Sequence, residues 1–338
     1  MIREIQKDEE KKWDEFVRRH PYGDYTSLVG YANVLSQTCG HKMRFFVHEN
    51  NGIWKSILPF LESAGRLISH AGILMDSSVG TDEGYKIAYD WYVYTNNLAS
   101  NESCHALGAL YQRDHPERFG EFKRMRQEVA VLSLDRSWDE VEGLFERQIK
   151  KAVRRAHEEK VEIVSVSDKK TMLEVFYPLY ARWSWRRHGS PAHGKEYFSA
   201  LHDALSKEIV LYVAYADGLP VGALLGFDTG MRLYAAFNPS DISSNHNRAN
   251  DLLHYTMIKD AHARKVPIFD FGPIKYEGQE RYKEKWGTEK IPADSWYLGK
   301  YPGVKRGMSQ RIISRVWRTL PFFIAERMGP FIRRRMGQ

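Results

Sequence analysis

Hydrophobic positions between residues 171 and 272 follow two different periods. Over 171–188 and 194–206 apolar side chains recur at three- and four-residue spacing, which predicts two helices. The pattern then becomes short apolar runs at 209–216, 220–227 and 231–237, which predict strands. Asp217-Gly218, with Pro220 just after, puts turn chemistry in the middle of the most apolar window, 209–227. That window therefore predicts a β-hairpin rather than a membrane span of about 20 residues. A polar loop (238–251) leads into a helix over 249–264 and a buried strand over 266–272, followed by a loop to about Gly287. Upstream, 144–160 predicts a helix with Phe145, Ile149, Ala152, Val153 and Ala156 on one side.

The same pattern occurs earlier in the chain. At a constant offset of 166, Val47 aligns with Val213, Gly52 with Gly218, Leu58 with Leu224, and Arg66-Leu67 with Arg232-Leu233. Tyr31 and Leu35 fall on Tyr197 and Leu201 in the preceding helices. Each copy reads helix, strand, Asn/Asp-Gly turn, strand, turn, strand. A repeated element order in one register predicts two α/β domains of similar fold with mixed sheets, over 1–140 and 141–300, with 301–338 as a tail. The length of 338 residues agrees with two domains.

Charge separates the tail from the body. The net charge is +7, and residues 301–338 hold nine Lys or Arg against one acid, Glu326. Met308, Ile312, Ile313, Val316, Trp317 and Leu320 repeat at helical spacing, and Phe322, Phe323, Ile324, Met328, Phe331 and Ile332 follow. A basic amphipathic segment of this kind can lie in an anionic membrane interface through 305–335, or pack its apolar face on the body. Only two cysteines, Cys39 and Cys104, exclude a disulfide scaffold. The charge-dense opening MIREIQKDEEKKWDEF is unlike a secretory signal, so a cytoplasmic location is expected, with peripheral attachment at the inner membrane face as a variant.

Two segments offer chemistry. On the helix over 144–160, Arg147, Lys150, Lys151, Arg154 and Arg155 form a cationic face suited to phosphates, or a solvated face softened by Glu146, Glu158 and Glu159. In 268–287, Asp270 and Gly272 end an apolar strand, where open α/β sheets place their sites; Tyr282, Lys283, Lys285 and Trp286 follow. A lysine there can hold a phosphate or stabilise an oxyanion, whereas Asp270 can simply cap the next turn. Tyr234, Asn238 and Asn250 bracket a loop able to hydrogen-bond a polar acceptor; Asn250-Asp251 serves equally as a helix cap. Asp270-Phe271-Gly272 lacks the companion motifs of a kinase. The sequence has no Walker loop, GxSxG, HExxH or CxxC pair, and no clustered metal ligands are expected.

The order RQIKKAVRRAHEEKVEI, FYPLYARWSWRRHGSP, YFSAL, ADGLPVGALLGF, NDLLHY, FDFG and RYKEKWG resembles the FemAB-like branch of the GNAT superfamily over about 141–298. The ending VWRTLPFFIAERMGPFIRRRMG is similar to the tails of relatives from exopolysaccharide and exosortase systems. The resemblance implies two tandem GNAT-like domains and acyl or aminoacyl transfer onto an amine of a cell-envelope, sugar or peptidoglycan-type precursor. It implies no bound cofactor, and a donor that is aminoacyl-tRNA or acyl-CoA. By motif position, Lys283 falls on the lysine of the family's F-K-x-x-[FW]-G segment, with Tyr282 in place of phenylalanine. Lys283 and Asp270 are then the expected catalytic pair. Tyr234, Asn238, Asn250, Gly272, Tyr282 and Trp286 are the expected substrate contacts, and Arg147, Lys151, Arg154 and Arg155 the phosphate contacts. The Q/R-x-x-G-x-G/A loop of CoA-dependent members is missing, which favours aminoacyl-tRNA. The competing expectation is a non-enzymatic scaffold for polysaccharide assembly at the membrane surface.

Overall fold

Asn51-Gly52 and Asp217-Gly218 both turn the chain through left-handed backbone, with φ of 51° and 77° in the first pair and 51° and 74° in the second. This is the geometry of a two-residue hairpin turn. The computed structural model describes residues 1–63, 66–69, 72–99, 103–105, 123–189, 193–241, 247–293, 295–297 and 317–335. The strands, in chain order, are β1 (Ile2–Glu4), β2 (Lys42–Asn50), β3 (Ile53–Ser63), β4 (Arg66–Ile68), β5 (Leu74–Met75), β6 (Ser103–His105), β7 (Lys123–Met125), β8 (Glu128–Ser133), β9 (Glu162–Val166), β10 (Ile209–Ala216), β11 (Leu219–Asp228), β12 (Arg232–Phe237), β13 (Ile268–Pro273), β14 (Glu289–Pro292) and β15 (Ser295–Tyr297). The main helices are α1 (Glu10–Arg19), α2 (Val29–Cys39), α3 (Thr81–Ala99), α4 (Trp138–Gly143), α5 (Arg147–Glu158), α6 (Tyr177–His188), α7 (Lys195–Leu205), α8 (Ala249–Ala263), α9 (Glu277–Glu284) and α10 (Phe322–Arg335).

The internal repeat is present in the backbone. α2 and α7 each span eleven residues at the offset read from the sequence. β2 and β3 pair antiparallel with a register shift between His48 and Glu49, and β10 and β11 shift between Ala214 and Tyr215, again 166 residues later. The same irregularity thus recurs in both hairpins at the offset of the sequence repeat. Among the described residues, the first sheet has the order β1-β2-β3-β4-β6-β15-β7, with β5 beside β3, and the second β14-β8-β13-β12-β11-β10-β9.

The expected boundary near residue 140 needs correction. Unit 1 comprises Met1–Val129, Thr229–Arg232 and Lys290–Gly303, and unit 2 comprises Ala130–Asp228, Leu233–Glu289 and Val304–Gln338. β15 thus completes the first sheet from the far end of the chain, and β8 begins the second. β8 lies between β14 and β13 and buries Ala130, Val131 and Leu132. The core of unit 1 gathers Phe46, Leu58, Phe60, Leu67 and Trp91. In unit 2, Leu132, Phe145, Ile149, Val153, Leu253, Met257, Phe269 and Trp286 lie in one cluster.

Two elements depart from expectation. The helix over 171–188 contains a π turn at Met172–Phe176. Pro178 in the first turn of α6 has no N–H for the carbonyl four residues back, which widens the hydrogen-bond register there. The loop expected before Gly287 contains α9. In the tail, α10 packs on α6: Phe322 meets Trp185 at 5.6 Å, Ala325 is buried, and Tyr177 hydrogen-bonds Glu326. Part of the tail's apolar face therefore covers unit 2, while Phe323 and Met328 stay exposed. Residues 301–316 lie outside the described residues. No described helix is long and apolar enough to cross a membrane.

Candidate active site

Unit 2 holds a cavity of about 570 Å³ where α5 faces the start of α8 and the end of α9. The buried stripe of α5, Ile149, Val153 and Ala156, fixes that helix on the core. The turn opposite it brings Gln148, Lys151, Ala152 and Arg155 to the cavity. Arg248, in left-handed backbone at φ 58°, delivers the chain into α8, and Asn247 rather than Asn250 supplies the cap, its Oδ1 accepting from the Ala249 amide at 3.1 Å. Asn250 and Asp251 in the first turn then line the cavity with Ser240 and Asp241, and Tyr282 and Lys285 close it from the α9 side.

A hydrogen-bonded group lies at this wall. Asn250 Nδ2 donates to Tyr282 Oη at 3.1 Å, and the Tyr282 hydroxyl donates to the Asp251 carboxylate. His254 Nδ1 donates to the Asn250 carbonyl at 2.9 Å and lies 3.3 Å from Tyr282 Oη. Burial pushes the Asp251 carboxyl above its ordinary pKa, although Arg248, Tyr282 and Lys285 oppose the shift. Burial also raises Tyr282 well above the usual phenol value, reinforced by the negative charge of Asp251. It holds His254 down at about 4, so that imidazole is neutral at physiological pH.

The expected site residues therefore divide. Lys151, Arg155, Asn250 and Tyr282 meet at the cavity. Arg147 and Arg154 do not line it; Arg154 is exposed and pairs with Glu158 at 3.5 Å. Lys283 is 7% exposed and donates to the carbonyls of Gly272 at 2.8 Å and Pro273 at 2.9 Å. Its ammonium braces the end of β13 and is absent from the cavity wall. Burial lowers its pKa to about 8, with Asp270 acting in the opposite direction. Asp270 is also buried, and its Oδ1 accepts from the Gly272 amide at 2.7 Å, the turn-capping role. Tyr234 packs across Gly272, where a Cβ would meet its hydroxyl at 3.2 Å. Asn238 Nδ2 donates to the Ala223 carbonyl at 3.2 Å. Trp286 is fully buried against Phe145, His254 and Phe271, a core residue rather than a substrate contact.

The sequence singles out Lys285 beside Lys283 and offers Asp251 only as a helix cap, whereas Arg248 carries no sequence signal. Lys285 lies three residues beyond Tyr282, on the same helical face, a signal available once α9 is recognised. Among the described residues no group of three or more potential metal ligands occurs.

Residues 144–284 match the family described as acetyltransferase (GNAT) domain. All the cavity-lining residues except Lys285 fall in that matched stretch, and an enzyme of the acyltransferase class is what the match indicates. No curated protein matches the sequence. Among solved structures, FemX is similar with a TM-score of 0.69 at 16% identity, over 94% of this chain and all of that one. The C-terminal domain of a putative lysylphosphatidylglycerol synthetase from Agrobacterium fabrum is similar at 0.57 and 11% identity, over 87% of this chain and 92% of that one. A tandem GNAT protein from the clavulanic acid biosynthesis pathway is similar at 0.51 and 12% identity, over 88% and 96%. At these identities the likeness is one of fold, and it bears out the expected mixed α/β architecture.

Proposed function

We propose that this chain transfers an acyl or aminoacyl group from an ester or thioester donor to an amine on a cell-envelope or exopolysaccharide precursor, with the chemistry in the cavity of unit 2. The observation that carries this reading is the composition of the cavity wall. Lys151, Arg155, Arg248 and Lys285 supply cations for phosphates, beside the Asn250–Tyr282–Asp251 group. An activated donor makes positioning the main requirement, and a shaped cavity meets it. The missing pyrophosphate loop favours aminoacyl-tRNA over acyl-CoA as donor. The arginine-rich tail, with Phe323 and Met328 exposed on α10, favours work beside an anionic membrane surface.

The test is to incubate the protein with labelled aminoacyl-tRNA or acetyl-CoA and a panel of nucleotide-linked amino sugars and peptidoglycan-type precursors, reading mass gain on the amine. Product from one donor supports the reading, and no product from either refutes it. In the double variant Lys151→Met, Arg155→Met, affinity for the working donor or acceptor should fall about 10- to 100-fold. The slope of log K against log salt should fall by about 1–2 if both cations meet phosphates. An unchanged slope would place the phosphates elsewhere.

A further inference from the structure

The carboxylates at the cavity differ in their surroundings. Asp241 is partly exposed and pairs with Arg186 at 3.1 Å. Asp251 is 8% exposed, lines the cavity, and holds a hydrogen bond from the Tyr282 hydroxyl. The other polar groups behind this wall are committed: Asp270 to the Gly272 amide, Lys283 to two carbonyls, His254 to the Asn250 carbonyl. We propose that Asp251 receives the acceptor amine in this cavity and takes the proton that its nitrogen sheds as the amide forms. This rests on the transferase reading above.

The step balances without another reagent. The neutral amine attacks the donor carbonyl, forming the N–C bond, and the bond from that carbon to the ester oxygen or thioester sulfur breaks. The nitrogen's proton passes to the Asp251 carboxylate and then to the leaving oxygen or sulfur, which restores the carboxylate. The groups facing Asp251 are consistent with this role. From α5 come Lys151 and Arg155, from the α8 entry Arg248, from the α9 end Lys285 and Tyr282, and across the cavity Asp241. Four cations, of which Arg155 also pairs with Glu159 at 3.7 Å, outnumber the two acids lining the cavity, which disfavours a bound ammonium and so favours the nucleophilic free amine. The Tyr282 hydroxyl orients one carboxylate oxygen.

The class of ligand follows: a primary amine close to a phosphate. The smallest probe with both groups is O-phosphorylethanolamine, and inorganic phosphate is its control. In full-length protein labelled with ¹³C at aspartate carboxyls, the Asp251 signal is assigned by its loss in Asp251→Asn. It should shift with the amine probe and not with inorganic phosphate, and Lys151→Met, Arg155→Met should abolish the shift. No shift, or an equal shift with phosphate alone, overturns the proposal. With the working donor and acceptor, Asp251→Asn should lower kcat by about 10²-fold or more and remove the acid limb of the pH–rate profile. Undiminished kcat in that variant overturns the proposal and leaves the transferase reading intact. A selective amine shift in a protein that transfers no acyl group leaves the amine subsite standing while the transferase reading fails.

Discussion

Gly287→Ala should destabilise the protein by at least about 3 kcal/mol and lower the melting temperature by about 6 °C or more. Gly287 has φ +71°, a region costing an L-residue about 1–2 kcal/mol. An added Cβ would lie 2.5 Å from the Leu144 Cβ and 2.9 Å from the Leu144 carbonyl oxygen. Leu144 cannot simply rotate away, because the second contact is backbone. The strain would reach the cavity: the Glu146 amide donates to the Lys285 carbonyl at 2.9 Å, coupling the start of α5 to the end of α9. Lys151, Arg155, Tyr282 and Lys285 would shift against one another, so turnover should fall with stability. Gly218→Ala is the control. Its φ is +74°, but nothing lies within 4 Å of its Cβ position, so it should cost about 1–2 kcal/mol of backbone strain alone. Equal effects in the two variants would show that crowding at Leu144 is unimportant.

What the sequence disclosed follows from how local each signal was. The hairpin of β10 and β11 was legible because Asp217-Gly218 fixes the turn and the flanking apolar runs fix the register. The duplication was legible because turn, strand and helix recur together at one spacing. The exchange of β8 and β15 between sheets was hidden, since pairing of distant strands leaves no local pattern. EGQERYKE in α9 gave no helical signal, being polar but for Tyr282 with Gly278 inside it. Its buried residue is Lys283, which no hydrophobic periodicity can flag. The basic face of α5 was read correctly as a stripe, but which of its cations face a cavity depends on what packs opposite. The copies differ here too. Lys55 stands 166 residues before the cavity-lining Val221, and its ammonium pairs with Glu83 at 3.2 Å.

Lys283→Met should alter how stability depends on pH. In the wild type, burial lowers the Lys283 pKa to about 8, from 10.5 for an ordinary lysine. Between those values the unfolded chain binds more protons than the native one, so native stability rises with pH through that window. From pH 7 to pH 9.5 the gain is about 1–2 kcal/mol, with allowance for partial screening by solvent. Methionine cannot titrate, so the variant lacks this gain. It also leaves the Gly272 and Pro273 carbonyls without their ammonium donor, a loss of about 1–3 kcal/mol each that relief from burying a charge offsets at neutral pH. The two proteins should therefore differ little in urea unfolding at pH 7 and diverge at pH 9.5, the wild type being the more stable. A constant difference across that range would mean an ammonium with an ordinary pKa. Turnover separates the remaining roles. The brace holds the end of β13 against Tyr234 and does not line the cavity, so kcat should fall by about tenfold rather than the 10²-fold or more expected of Asp251→Asn. An equal collapse in the two variants would move Lys283 from brace to oxyanion stabiliser.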